Sequence, residues 1–446
     1  MVWWNRVVFV AITATALGAE RLGAEDVWPA FRGAARAGVM DSPQLPEVWD
    51  KQTNIEWRTP IAGQGWSCPV VWGKKIFLTT VAREGAFDEP KKGLYFGGER
   101  KDKPKEPHRW LVLCLDATTG KVLWEREVAA GIPERNKHIK NSFASETPVV
   151  DARHVYAYFG NKGLYCLDHD GQLVWKKQFP TVATKLGWGT AASPAEHGDR
   201  LFIVNDNETE SYLVALDKRT GDELWRVPRA EKTNWATPFI WRNSRRTELV
   251  TAGTERVRSY DLDGKLLWEF GGMSSITICT PFAADDLLYI ASGYVLDKQR
   301  PLYAIRPGAA GDITLKAGES SNEFIAWCQK LAAPYNTTPL VYEGRCYVLY
   351  DQGFLACYDA KTGREIYGRQ RLSAGAHFTA SPWANAGKIY CLSEEGDTFV
   401  IQAGDTFKLL RKNSLDEMGM STPALTPERL LLRTADALYS IRPTRK

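Results

Sequence analysis

Residues 215–225 read Ala-Leu-Asp-Lys-Arg-Thr-Gly-Asp-Glu-Leu-Trp. A short apolar run ends on Asp217, a polar turn closes on Gly221, and a second run ends on Trp225. Glycine at such a turn supplies the positive φ that a tight hairpin needs. An aromatic four residues later is large enough to bury about 150–250 Å² against a neighbour. The stretch is therefore a β-hairpin with an aromatic anchor.

The same hairpin recurs. CLDATTGKVLW spans 114–124 and CYDAKTGREIY spans 357–367, and the Gly-to-aromatic spacing repeats at Gly171/Trp175 and Gly264/Trp268. The prolines of eight Ser-Pro, Thr-Pro or Cys-Pro dipeptides mark the start of each unit: Pro69, Pro148, Pro194, Pro238, Pro281, Pro339, Pro382 and Pro423. Most intervals between them lie in the low forties, the period of a propeller blade. Between the markers stand short alternating apolar and polar runs broken by Gly, Asp and Asn, a strand pattern rather than a helical one. In the second unit these runs predict strands over 148–150, 155–159, 164–167 and 173–176. We name the strands of each blade A to D from the axis outward. The fold expected is all-β: an eight-bladed β-propeller of four-stranded antiparallel blades. Trp124, Trp175, Trp225, Trp268 and Tyr367 are its expected blade-to-blade docking residues.

These repeats resemble the tryptophan-docking repeats of the pyrroloquinoline quinone (PQQ) family of eight-bladed propellers, from about Trp28 to the C-terminus. That family of repeats builds quinoprotein alcohol dehydrogenases and also the propeller lipoprotein of the outer-membrane protein assembly machine. The resemblance implies the fold and leaves the chemistry open, because function resides in whatever site a fold carries.

The last repeat ends after a C strand, and Asn54–Pro60 reads like the missing D strand. An N-terminal strand is thus expected to close the ring and remove an exposed edge. Residues 1–24 read as a signal peptide, with Arg6 ahead of the apolar run Val7–Ala19 and small residues after it. Residues 25–52 read as an N-terminal arm, and 53–446 as one propeller domain. No cysteine stands near the cleavage region where a lipoprotein anchor would need one, and no membrane span is expected in the mature chain. The expected location is the periplasm or the extracellular space. Apolar residues make up 44% of the chain and charged ones 25%, as in globular proteins, and the net charge of +4 is small. Nothing in it points to nucleic acid, and a monomer is expected.

The eight cysteines include Cys114, Cys166 and Cys357 at one equivalent strand position, as buried free thiols would be. No Cys or His pair has metal-ligand spacing, so no metal site is predicted. No Cys-Cys pair is present, so the adjacent-cysteine ring of many quinoprotein alcohol dehydrogenases is absent. In a four-stranded meander the D–A and B–C connections share one face, called here the first face. The two longest connections, 83–109 and 129–144, fall there. Pro307–Asn322 is read as a surface loop on the other face.

Just ahead of the A strands stand Trp66, Phe143, Trp188, Trp235, Tyr335 and Phe378, either lining a ligand funnel or capping the blades. Two positions before the marker prolines, only the second blade carries a carboxylate, Glu146. A charge there is costly unless paired or used. Glu146 is thus the candidate acid/base or ligand group, with an ion pair to an arginine as the plainer reading. Asn141, Trp188, Asn234, Trp235, Arg300 and His377 are the candidate ligand-binding residues around it. A calcium–quinone site like that of the quinoprotein dehydrogenases would need a Glu, an Asn, a catalytic Asp, a Trp floor and basic groups. Those ingredients are scattered, and no motif brings them together. The leading expectation is an exported, non-catalytic binding or assembly platform with a protein or cell-envelope partner. The alternatives are a PQQ- and calcium-dependent dehydrogenase of small alcohols or sugars, and a propeller that binds or cleaves polysaccharide.

Overall fold

The computed structural model describes residues 27–85, 87–88, 90–95 and 103–443; the signal-peptide reading of 1–24 lies outside them. Among the described residues, regular structure is β apart from two single-turn 3-10 segments at Gly160–Lys162 and Lys185–Gly187. The strands form eight separate sheets. The second blade comprises Val149–Val150, His154–Tyr158, Leu164–Asp168 and Leu173–Lys177, within a residue or two of the reading from sequence. The eighth comprises Ala424–Leu425, Leu430–Arg433, Ala437–Ile441 and the N-terminal Ile55–Pro60. Ile55 pairs with Ile441 and Pro60 with Ala437, so the N-terminal strand closes the ring.

Each letter of the opening motif has a structural cause. The Asp217 carboxylate accepts the N–H groups of Arg219 and Thr220, which fixes the turn. Gly221 has φ +78, and a Cβ there would meet the Trp175 ring at 2.6 Å. Each of the indoles of Trp124, Trp175 and Trp225 therefore lies on the turn glycine of the next blade. Its N–H donates to a carbonyl of the same turn: Trp124 to His169 O at 3.0 Å, Trp175 to Lys218 O at 3.0 Å and Trp225 to Leu262 O at 3.0 Å.

Two tryptophans that the spacing did not mark do the same. Trp57 of the closing strand docks on Gly120 and donates to Ala117 O at 3.1 Å, and Trp327 docks on Gly363 and donates to Ala360 O at 3.0 Å. Trp268, by contrast, donates to Glu248 Oε2 of its own blade at 2.6 Å. The cause is the connection between strands C and D of blade five. Gly311–Asp312 within it pairs in parallel with Trp268–Glu269 as a fifth strand of blade four. The stretch 307–322, expected to be only a surface loop, thus covers Trp268 where a short glycine turn would otherwise receive it. Tyr367 meets Phe407 of blade seven edge-on at 6.1 Å.

The marker dipeptides also acquire a reason. The N–H of Cys68 donates to the Thr147 hydroxyl, that of Thr147 to Ser193, that of Ser193 to Thr237. The pattern resumes from Thr280 to Thr338, Thr338 to Ser381 and Ser381 to Thr422. The residue before six of the eight prolines thus hands its N–H to the hydroxyl at the same position of the next blade. These bonds form a belt around the axis and satisfy inner-edge amides that no strand pairs.

Residues 27–42 lie against the inner edges of the blades. Val27–Trp28 pairs with Val70–Trp72, and Pro29 O accepts the N–H of Val150 at 2.9 Å. The Arg32 guanidinium stands over Phe282 of blade five, 5.3 Å from the ring centre. Gly38 and Met40 exchange backbone hydrogen bonds with Ala384 of blade seven, and the Ser42 hydroxyl donates to Pro427 O of blade eight at 2.5 Å. The segment therefore crosses the axis from blade one to blades seven and eight. The eight cysteines are buried, free thiols. No helix among the described residues is long and apolar enough to cross a membrane.

Candidate functional site

Where the axis opens on the first face, the structure forms a cavity of about 240 Å³. Phe31 of the N-terminal segment is in its lining, together with the belt residues Cys68, Thr147, Ser193, Thr237, Thr280, Thr338 and Thr422. Trp66, Trp188, Trp235 and Tyr335 line it as well, so four of the six aromatics expected on this face meet at one site. Trp188 and Trp235 lie 5.7 Å apart, and the Trp235 N–H donates to Gly189 O at 2.8 Å. The other two aromatics cap blades instead. Phe378 is fully buried in the core shared by blades six and seven, and Phe143 packs edge-on against His108 at 5.8 Å.

Both long connections of the first face reach the cavity. From 132–148 come His138, Lys140 and Asn141, and from the insertion between strands B and C of blade one come Gly93, Leu94 and Tyr95. Lys140 Nζ donates to Glu394 Oε1 at 2.5 Å, to Gly93 O at 2.9 Å and to Thr379 Oγ1 at 3.1 Å. Glu394 Oε2 accepts the N–H of Gly93 at 2.8 Å. His138 Nε2 lies 3.2 Å from Tyr95 O. Leu94 packs against the cluster of Trp188, Trp235, Ile276 and Tyr335. Lys140 and Glu394 are 10% and 1% exposed, so this ion pair is shielded from solvent.

Asn141 lines the cavity but spends its side chain on the protein. Its amide donates to Trp188 O at 3.1 Å and Thr190 O at 3.0 Å, and its Oδ1 accepts the N–H of Ser142 at 2.7 Å. Glu146 is 1% exposed and lies outside the cavity lining. Its neighbours Ser145 and Thr147 line the cavity, whereas Glu146 is held in the wall. Thr190 Oγ1 donates to its Oε1 at 2.6 Å. Among the described residues no arginine or lysine pairs with it, and burial raises its pKa to about 7. Asn234 donates to Asp206, which also holds the buried Arg229 at 2.7 Å. Arg300 lies outside the cavity lining, and its backbone N–H donates to Lys330 O at 2.9 Å. His377 Nδ1 is 3.4 Å from Glu395 Oε1, behind the Gly93 backbone. Of the candidate residues, Asn141, Trp188 and Trp235 thus converge on one cavity, while Glu146, Asn234, Arg300 and His377 do not. Lys140, Glu394 and Leu94 were missed. No motif marks them, since blade-to-blade distance across the ring is invisible in local spacing.

A family model described as "Outer membrane protein assembly factor BamB" matches residues 109–269, 166–307 and 253–406. The chain belongs to this family. Its fold is that of three solved structures at low identity. BamB from Moraxella catarrhalis superposes with a TM-score of 0.52 at 13% identity, covering 74% of this chain and 93% of that one. A europium-containing methanol dehydrogenase gives 0.57 at 12% identity, covering 93% and 90%. Quinohemoprotein alcohol dehydrogenase from Comamonas testosteroni gives 0.60 at 11% identity, covering 94% and 81%. No curated protein matches the sequence.

The repeats of this family raise the question of a quinone with calcium. The cavity residues do not fit that pair. PQQ carries three carboxylates, and among the described residues the one lysine or arginine in the lining, Lys140, is already paired with Glu394. Glu146, the candidate calcium ligand, is outside the lining, and the Asn141 side chain is committed to its own loop. Among the described residues no three His, Cys, Asp or Glu side chains are grouped as a metal site would need.

Proposed function

We propose that this propeller is an exported, non-catalytic binding or assembly platform of the cell envelope. The observation that carries the reading is the state of the charged groups at the channel mouth. Lys140 and Glu394 satisfy each other and fix the main chain of Gly93, so neither of these charged groups stands as a free acid or base at the cavity. General acid–base or nucleophilic chemistry needs such a group within hydrogen-bond reach of a substrate. A rigid aromatic-lined opening on a ring of eight blades suits recognition instead. Membership of a family described as an outer-membrane assembly factor supports the same reading. The leader-like residues 1–24 support that location.

The test combines two measurements. The full chain is expressed with its own leader and a photo-crosslinking residue in place of Leu186, which is 63% exposed on the first face. Recovery from the envelope fraction with an adduct to one discrete envelope protein is expected. The purified protein, supplied with PQQ and calcium, is expected to leave small alcohols unoxidised in a dye-linked assay. Quinone-dependent turnover, or recovery only from the cytoplasm, would overturn the reading.

A further inference from the structure

We propose that the channel mouth is a docking socket for a peptide segment bearing glycine followed by a leucine or aromatic residue, and that Gly93–Leu94 is its built-in occupant. The inference rests on the platform reading and names the chemistry of the partner. Its first support is the way the site holds Gly93. Glu394 accepts the Gly93 N–H at 2.8 Å, and Lys140 donates to the Gly93 carbonyl at 2.9 Å. Both polar groups of one residue's main chain are therefore read by a buried acceptor and a buried donor. Main-chain recognition beside a side-chain pocket is how extended-peptide sites obtain affinity and specificity. Gly93 has φ +102, a conformation that favours glycine, and a Cβ there would meet nothing closer than His377 at 3.6 Å. Conformation rather than space selects glycine at this position.

The second support is volume. Leu94 is half-buried against the aromatic cluster, yet it borders a cavity of about 240 Å³ that continues down to Phe31. The socket accepts a side chain larger than the one it holds. The third is the rim. Leu186 and Leu296 are 63% and 66% exposed, and Leu186 sits at φ +54, outside the ordinary range for a leucine. Lys185 donates to Ser275 O at 3.3 Å and Asp297 accepts from Ser275 Oγ at 3.1 Å, so both leucines flank the same residue beside the socket. An exposed leucine held at a strained backbone angle beside an aromatic-lined opening marks an interaction surface.

The experiment replaces residues 90–104 by a short Gly-Ser linker. Binding of a fluorescein-labelled peptide with the sequence of 90–95, Pro-Lys-Lys-Gly-Leu-Tyr, is then measured by anisotropy, together with the analogue carrying Phe for Leu. Saturable binding is expected, tighter for the Phe peptide. It should be at least about tenfold weaker on the intact protein, where a tethered occupant competes at an effective concentration on the order of millimolar. A cooperatively melting linker protein that binds neither peptide, or binds a scrambled one equally, overturns the proposal. That result would leave the envelope crosslink standing, so the two readings fail separately. If the linker protein does not fold, L94F and L94A in the full chain decide. L94F should raise Tm by filling the cavity and L94A should lower it, whereas a lowered Tm for L94F overturns the proposal.

Discussion

Two chain segments reach the axis of this propeller, and they are held in opposite ways. Residues 27–42 are attached through backbone: a strand pair with blade one and amide exchanges with blades two and seven. Their Trp28 is 3% exposed, and its ring would lie 2.8 Å from a Cβ on Gly33. The tip at Gly93–Tyr95 is held through the side chains of Lys140, Glu394 and His138, with Leu94 only half-buried. The first segment belongs to the ring; the second rests on it. Backbone pairing inside a packed core opens only with the whole structure, whereas a contact held by a few side chains opens locally.

The sharpest way to break this contrast is to remove the first segment together with the closing strand. Deletion of 27–61 takes away the outer strand of blade eight and the residues crossing the axis, so the cooperative transition seen by circular dichroism should vanish. A smaller cut at the same place is W28A. A fully packed tryptophan reduced to alanine costs about 3–5 kcal/mol, to be read as a shift of the urea midpoint. A midpoint equal to the parent's would mean that the segment merely lies on the ring.

Glu146 tests the wall between the two segments. Burial holds its folded pKa at about 7 against an ordinary 4.5. A carboxyl raised on folding binds more protons in the native state between those values, so stability falls as pH rises from about 4.5 to 7. The full loss is about 3 kcal/mol by linkage. E146Q should flatten that dependence and leave stability at low pH nearly unchanged, as followed by denaturation at several pH values. An unchanged slope would mean that another group titrates. The smallest effect belongs to the tip. L94A should cost no more than about 1–2 kcal/mol, since only part of a leucine is buried there. A larger loss would place the tip in the ring's core after all.

How far the sequence reaches follows from the range of the interactions. The hairpin of 215–225 is local: Asp217, Gly221 and Trp225 act within one turn and the next blade, and the repeat states them openly. Closure by Ile55–Pro60 was legible because a missing strand and a spare strand stand at opposite ends of a regular series. Trp268 misled because its glycine spacing is right while its receiving turn, replaced by 307–322, belongs to the next blade. Glu146 misled more subtly. Its anomaly in the series is real, but the residue lies in the wall and not in the cavity lining, and local spacing cannot tell the two apart. The pairing of Lys140 with Glu394 joins residues 254 apart. Only a closed ring brings them together, so no periodicity could announce it.

The order of the segments along the chain carries a further consequence. The residues that cross the axis precede every blade in sequence, and the strand that locks the ring is made long before its partner, Ala437–Ile441, the last strand of the chain. During synthesis the hub is therefore present before the rim, and blades added in turn can wrap around it as around a mandrel. The seam left for last lies between blades eight and one, where the marker residue is Cys68 and a weakly accepting sulfur takes the place of a hydroxyl. Tension applied between the two ends of the propeller should peel the closing strand at that joint before the six hydroxyl clasps elsewhere give way.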